Sequence, residues 1–284
     1  MKTQFPWCPR FSKKAWVTLS MSFFIIITFF HFLPSLAQGP EQGPAPHELD
    51  ISSYHETFSA TFRGKLDVTP WGPSQWIAHT PWNGDFGDAR FADPQPGFPF
   101  LTGADGLQII ARKNADGKWE SGLLSSVDAE GRGFAQAGGY FEARMKLPPG
   151  PGVWPAFWLA AHGNDVYNSE IDVIEYYGQF PDGYRVTSHL WPKSKELKAQ
   201  EQGQLIHVPS GSLSAEFHTY GVEILQNDLV FYLDRHEVAR MPAAPAMQSP
   251  MSILVDLALG SGWPIDKTPN PSLLEIDYVK AYKK

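Results

Sequence analysis

From about residue 55 onward the chain is built from short runs in which apolar and polar positions alternate. "ETFSATF" (56–62), "GLQIIARK" (106–113), "GGYFEARMKL" (138–147), "VWPAFWLAA" (153–161) and "SEIDVIEYY" (169–177) come first. "YRVTSHLW" (184–191), "FHTYGVEIL" (217–225), "DLVFYLDRHEVA" (228–239), "MSILVDLAL" (251–259) and "LLEIDYVKAY" (273–282) follow. Such runs, rich in β-branched and aromatic residues, predict strands. Turn residues separate them, as in "NADG" (114–117), "PPGPG" (148–152), "PDG" (181–183) and "QND" (226–228). With 25 Gly and 25 Pro there is little room for long helices. The expected fold class is all-β, a sandwich or jelly roll.

The first 37 residues break this pattern. Lys2, Arg10, Lys13 and Lys14 give a basic start, "AWVTLSMSFFIIITFFHFL" (15–33) is almost wholly apolar, and Ser35 and Ala37 are small. This order predicts a secretory signal peptide cleaved after Ala37, with an uncleaved membrane anchor as the alternative. A flexible Gly/Pro linker is expected over 38–53, beginning "QGPEQGPAPH", and one domain over 54–284. Removing the leader leaves 19 basic residues against 30 acidic ones, a net charge of −11. That charge argues against nucleic acid and anionic membranes as partners. The single cysteine, Cys8, lies in the leader. The mature chain is expected to be secreted or periplasmic, monomeric, and without stable membrane association.

The stretch "NSEIDVIEYYG" (168–178) carries Glu170, Asp172 and Glu175 on an otherwise apolar strand. Residues two apart share a face of a strand, so Glu170 and Asp172 point the same way. Glu175, three further on, points away from them unless one extra residue is inserted. A β-bulge at Val173–Ile174 would return it to their face, and bulges recur beside active sites. Just upstream, Trp154, Ala156 and Trp158 share one face, while Pro155, Phe157 and Leu159 take the other, where Phe157 is expected in the core. Flat aromatic faces beside carboxylates suit a sugar-binding cleft.

These stretches together resemble glycoside hydrolase family 16, the family of laminarinases, lichenases, agarases and κ-carrageenases. The resemblance rests on "ESGLLSS" (120–126), "GYFEARMKLPPGPGVWPAFWL" (139–159), "SEIDVIEYYG" (169–178), "FHTYGVEI" (217–224), "PMSILVDLALGSGWP" (250–264) and "LLEIDYVKAY" (273–282). It implies a β-jelly roll of two curved antiparallel sheets with a concave substrate cleft. It also implies roles: Glu170 the nucleophile, Glu175 the general acid/base, Asp172 the group that holds the nucleophile. The three-residue gap is similar to the branch of laminarinases, agarases and carrageenases.

On that basis the expected function is a secreted, retaining endo-glycosidase. Its expected substrate is a β-linked polysaccharide, a β-1,3- or β-1,3-1,4-glucan or a bacterial exopolysaccharide. The crowded carboxylates are expected to titrate as a coupled set that keeps a proton for Glu175 to donate. Trp154, Trp158, Trp263 and His189 are the expected substrate contacts, with His189 near Glu175 or the sugar. No catalytic cofactor is expected. The resemblance implies a structural calcium at Asp277, an ordinary strand-end aspartate being the alternative. Glu142 and Arg144 share a face, as a structural pair or as substrate contacts. The loop "HTPWNGDFGDARF" (79–91) is a further candidate wall of the site.

The chain departs from the family pattern at Val222-Glu223-Ile224, at Asp256 where many members have Asn, and at "HGNDVYNS" (162–169), which lacks a common Trp. Two other functions stay open: a non-catalytic glycan-binding jelly roll, disfavoured by the retained carboxylates, and a transglycosylase. Motifs of serine hydrolases, zinc peptidases and phosphate-binding loops are absent.

Overall fold

A computed structural model describes residues 47–161 and 163–284. The leader and the linker up to residue 46 lie outside the described residues. Two large sheets face each other, one of ten strands and one of nine. Between them lies a single large apolar core containing, among others, Phe141, Phe157, Ile171, Val173, Ile174, Val255 and Ile276. The all-β expectation and the sandwich of two sheets are what the chain adopts, antiparallel but for short parallel pairs at their edges.

The nine-stranded sheet positions the site. Its central part runs in the order Gln200–His207, Gly183–Pro192, Tyr167–Glu175, Val153–Ala161, Met251–Leu259, Leu123–Ser125, Trp76–Ile77, Val68–Thr69. One face packs on the core. The other carries a second apolar cluster of Phe91, Leu123, Ala156, Trp158, Leu254 and Ala258, with Phe86 and Trp154 against it. Alternation explains the split: Met251, Ile253, Val255, Leu257 and Leu259 enter the core, while Leu254 and Ala258 turn to the cleft. All nine residues of that strand are buried, because the 79–91 loop lies over its cleft face. That double cover is why the run is apolar on both faces apart from Ser252 and Asp256.

Gly260 ends the strand with φ +88°, and a Cβ there would lie 1.9 Å from Asp88 Oδ2. Only glycine lets the 79–91 loop seat there, where the Asp88 N–H bonds Leu259 O at 2.8 Å.

Three expectations change. "DLVFYLDRHEVA" is a hairpin, Asp228–Leu233 and His236–Pro242, because Asp234 and Arg235 both take positive φ (52° and 63°). Two such residues give the turn whose twist matches antiparallel strands. Gln200–His207, polar and mostly exposed, is an edge strand that no apolar alternation announces. Residues 47–53 are not a tether: Leu49 is buried, Glu48 bridges to His236, and Ile51–Ser53 form a 3-10 turn capped by Asp50. Their apolar side chains cover the outer face of the ten-stranded sheet beside Tyr140 and Tyr232. Among the described residues no helix is long and apolar enough to cross a membrane.

Candidate active site

The strand Tyr167–Glu175 is bulged where the spacing demanded it. Against Val153–Ala161, Phe157 pairs with Ile174 but Trp158 pairs with Asp172, leaving Val173 as the extra residue. On the other side Asp172 faces Thr187 and Glu175 faces Arg185, again one residue out of step. Val173 and Ile174 both enter the core, at 1% and 0% exposure. Two consecutive inward residues restore Glu175 to the face of Glu170 and Asp172. The acids then sit in cross-strand rows. Glu170 lies between Ala160 and His189, Asp172 between Trp158 and Thr187, and Glu175 between Ala156 and Arg185.

Each acid has its own partners. Trp191 Nε1 donates to Glu170 Oε2 at 3.0 Å. His189 Nε2 lies 3.0 Å from Asp172 Oδ2 and 4.0 Å from Glu170 Oε1. The His189 and Trp191 rings lie nearly parallel, 5.1 Å apart. Glu175 Oε1 accepts from Trp154 Nε1 at 3.2 Å and from the Tyr177 hydroxyl at 3.1 Å. One row away, Asp256 accepts from Trp158 Nε1 at 2.8 Å and from the Ala258 N–H at 3.0 Å.

Crowding and burial raise the proton affinity of this cluster. Burial, with the Asp172 charge next, pushes Glu170 up to about 8, while His189 and the Trp191 N–H pull the other way. Burial, then the Glu175 and Asp256 charges, hold Asp172 well above its ordinary range. Burial pushes Asp256 up to about 7 against the Trp158 and Ala258 hydrogen bonds. The upward push falls on Glu170, Asp172 and Asp256. One side-chain oxygen or nitrogen from each of Glu170, Asp172 and His189 lies within 4.8 Å of the others, and the neighbouring Glu170 and Asp172 carboxyls titrate as a coupled pair.

The expected contacts divide. Trp154 and Trp158 stand on the cleft face, both donating to carboxylates. His189 serves Asp172 and Glu170, not Glu175, because it faces Glu170 in the cross-strand register. Trp263 is 43% exposed and meets Phe180 edge-on at 5.0 Å. The pair lines a surface hollow of about 410 Å³ with Pro151, Gln179, Pro264 and Lys267. Glu142 is fully buried on the ten-stranded sheet, held by Arg235, Tyr140 and Tyr282, and is structural.

Asp277 does not fit a calcium ion. Its Oδ1 is taken by the Arg63 guanidinium and its Oδ2 by Arg144 Nη1 at 3.0 Å. Two cations already neutralise the carboxylate, and they would repel a third.

Sequence reasoning did not single out Trp191, Tyr177 or Asp256 as parts of the site. Trp191 stands two residues past His189 and Tyr177 two past Glu175, so strand periodicity was the available signal. Asp256 was visible only as a departure from the family's Asn.

The chain is similar to an endo-1,3-1,4-beta-glycanase of Rhizobium meliloti, EglC, 33% identical over 187 residues, which are 64% of this chain and 37% of the relative. A second enzyme of that name and organism, ExsH, is 35% identical over 188 residues, again 64% and 37%. The chain thus spans little more than a third of these curated relatives. A beta-glucanase of Rhodothermus marinus is 25% identical over 244 residues, 71% of this chain and 84% of the relative. The laminarinase catalytic domain of Thermotoga maritima superposes with a TM-score of 0.64 at 21% identity, covering 81% of this chain and 98% of that one. This likeness speaks for the fold. The family model described as glycosyl hydrolases family 16 matches residues 105–280, most of the domain that carries the three acids, and the chain belongs to that family.

Proposed function

We propose that this protein is a retaining endo-glycosidase that cuts a β-1,3- or mixed β-1,3-1,4-linked glucan by double displacement. The observation that carries this reading is the one-residue bulge at Val173, which brings three carboxylates to one aromatic-walled face. The relatives named as endo-1,3-1,4-beta-glycanases support the linkage. The basic start and apolar run of the first 37 residues support export as a signal peptide.

Glu170, ionised, attacks the anomeric carbon, and a carbon–oxygen ester bond forms as the glycosidic bond breaks. Trp191 and His189 favour that ionised state by hydrogen bond and by charge. Glu175 gives its proton to the departing glycosidic oxygen. Esterification then removes the charge on Glu170. Glu175, now ionised, takes a proton from the incoming water, whose oxygen attacks the same carbon and releases Glu170. Trp154 and Tyr177 hold the Glu175 carboxyl in place for both transfers. Asp172, close to His189, orients the imidazole against Glu170.

The test is digestion of laminarin, lichenan and mixed-linkage β-glucan with sizing of products and proton NMR of the first-formed anomer. The reading expects internal cuts and β-anomers first. Inert wild-type protein on all three, or α-anomers first, would contradict it.

A further inference from the structure

The 79–91 loop and the segment before it place an aromatic platform far along the same sheet from the acids. Ile77 pairs with Ser125, and Ser125 pairs with Leu254, a member of the cleft-side cluster. Directly opposed residues share a face, so Ile77 looks into the cleft. Trp76 and Ala78 enter the core. Past Ile77 the chain bends, and Gly72, next to Trp71, sits against the Ile77 side chain on the cleft side, which brings the Trp71–His79 pair to that side.

Trp71 lies flat on His79, ring centroids 4.5 Å apart and planes 11° from parallel. The layers therefore run sheet, His79, Trp71, and the second face of the indole looks away from the sheet. Trp71 stays 43% exposed while His79 is only 9% exposed beneath it. The imidazole is itself fixed, its Nε2 2.8 Å from Asp93 Oδ1. Asp85, exposed to solvent, stands within electrostatic reach of His79. Nearer the acids, Trp82, 37% exposed, packs against Trp158 opposite Asp172, with ring centroids 6.0 Å apart.

A held, exposed aromatic face flanked by carboxylates matches a pyranose ring, which stacks its C–H face on an indole and offers hydroxyls to acceptors. The strand of Trp76 is four positions from the strand of Glu170. At about 4.8 Å per strand, that is about 19 Å along the sheet. Such a span needs a substrate several sugar units long.

We infer that Trp71, stacked on His79, is a distal subsite for a neutral hexose unit of the glucan chain, several units from the bond that is cut. This inference rests on the cleft reading given above. The indole contributes by capturing long chains and adds nothing to a chain too short to reach it.

The experiment compares kcat/KM for a long β-glucan with that for the shortest oligosaccharide the wild-type protein cleaves, in wild type, Trp71→Ala and Trp71→Phe. The expected result is a fall in the long-to-short ratio of about fivefold to tenfold in Trp71→Ala, with Trp71→Phe retaining most of it. Thermal melts accompany each variant, and a fold lost by Trp71→Ala leaves the ratio in Trp71→Leu as the deciding value. A ratio equal to that of wild type, or equal losses on both substrates, overturns the subsite. Wild-type protein that cleaves neither substrate would instead defeat the glycosidase reading itself.

Discussion

Trp191 donates its indole N–H to Glu170 from a strand neighbour, two residues past the histidine that sits 3.0 Å from Asp172. One face of one strand thus supplies both groups that favour ionised Glu170. Trp191→Phe removes the donor and keeps the ring. The Glu170 proton affinity should then rise, so the acidic limb of the kcat/KM profile should move to higher pH. Below that limb activity should fall about tenfold or more. An unmoved limb would show that the hydrogen bond does not tune the nucleophile.

Asp172→Asn removes the charge that most opposes ionisation of Glu170 after burial itself. Its acidic limb should move the other way, to lower pH. The maximal rate should still drop, by about tenfold to a hundredfold, because His189 loses its anionic partner. A pH–rate series on the two variants side by side gives opposite shifts if the cluster is coupled as described.

Deleting Val173 should straighten the strand. Ile174 would take the single inward position, and Glu175, now two residues from Asp172, would stay on the cleft face. Some activity should therefore survive, while the melting temperature falls because a buried valine leaves the core. Val173→Ala keeps the backbone count, so it should cost about 1–3 kcal/mol of stability yet remain active. A deletion variant that folds but is wholly inactive would contradict the claim that one inserted residue is what sets the face of Glu175.

Glu170 also writes a pH dependence into stability. Its carboxyl rises from an ordinary 4.5 to about 8 in the folded protein. Between those values the native state binds more protons than the unfolded chain, so stability falls as pH climbs through that window. Glu170→Gln removes this site. Relative to wild type, the variant should gain stability between pH 5 and 8, read from denaturant midpoints at each pH. A constant difference across the range would contradict the raised value.

With Arg63 and Arg144 on both oxygens of Asp277, wild type and Asp277→Asn should respond alike to chelators and to added calcium in melting temperature. Asp277→Asn should destabilise by about 1 kcal/mol by leaving two guanidiniums facing each other. A calcium-dependent rise in melting temperature that is lost in Asp277→Asn would return the metal to this position.

What was legible in the sequence followed from period-two alternation. Val153–Ala161 and Gly106–Lys113 have the bounds that their apolar runs suggested, and the gap between Asp172 and Glu175 announced the bulge. Gln200–His207 was hidden because an edge strand exposed on both faces needs no apolar period. The packed N-terminal segment was hidden because Leu49 and Ile51 are isolated apolar residues in a Pro- and Gly-rich neighbourhood. Which acid His189 would serve depended on register across two strands, which spacing within one strand does not carry. The guanidinium pair on Asp277 joins residues from three distant parts of the chain.

The most direct test of the central claim is to trap the first covalent step. Wild-type protein incubated with a 2-deoxy-2-fluoro β-glucosyl oligosaccharide bearing a good leaving group should accumulate one ester-linked glycosyl unit. Peptide mass spectrometry should place it on Glu170. Label on Glu175 or Asp172, or turnover with no label on Glu170, would contradict the assignment of the nucleophile.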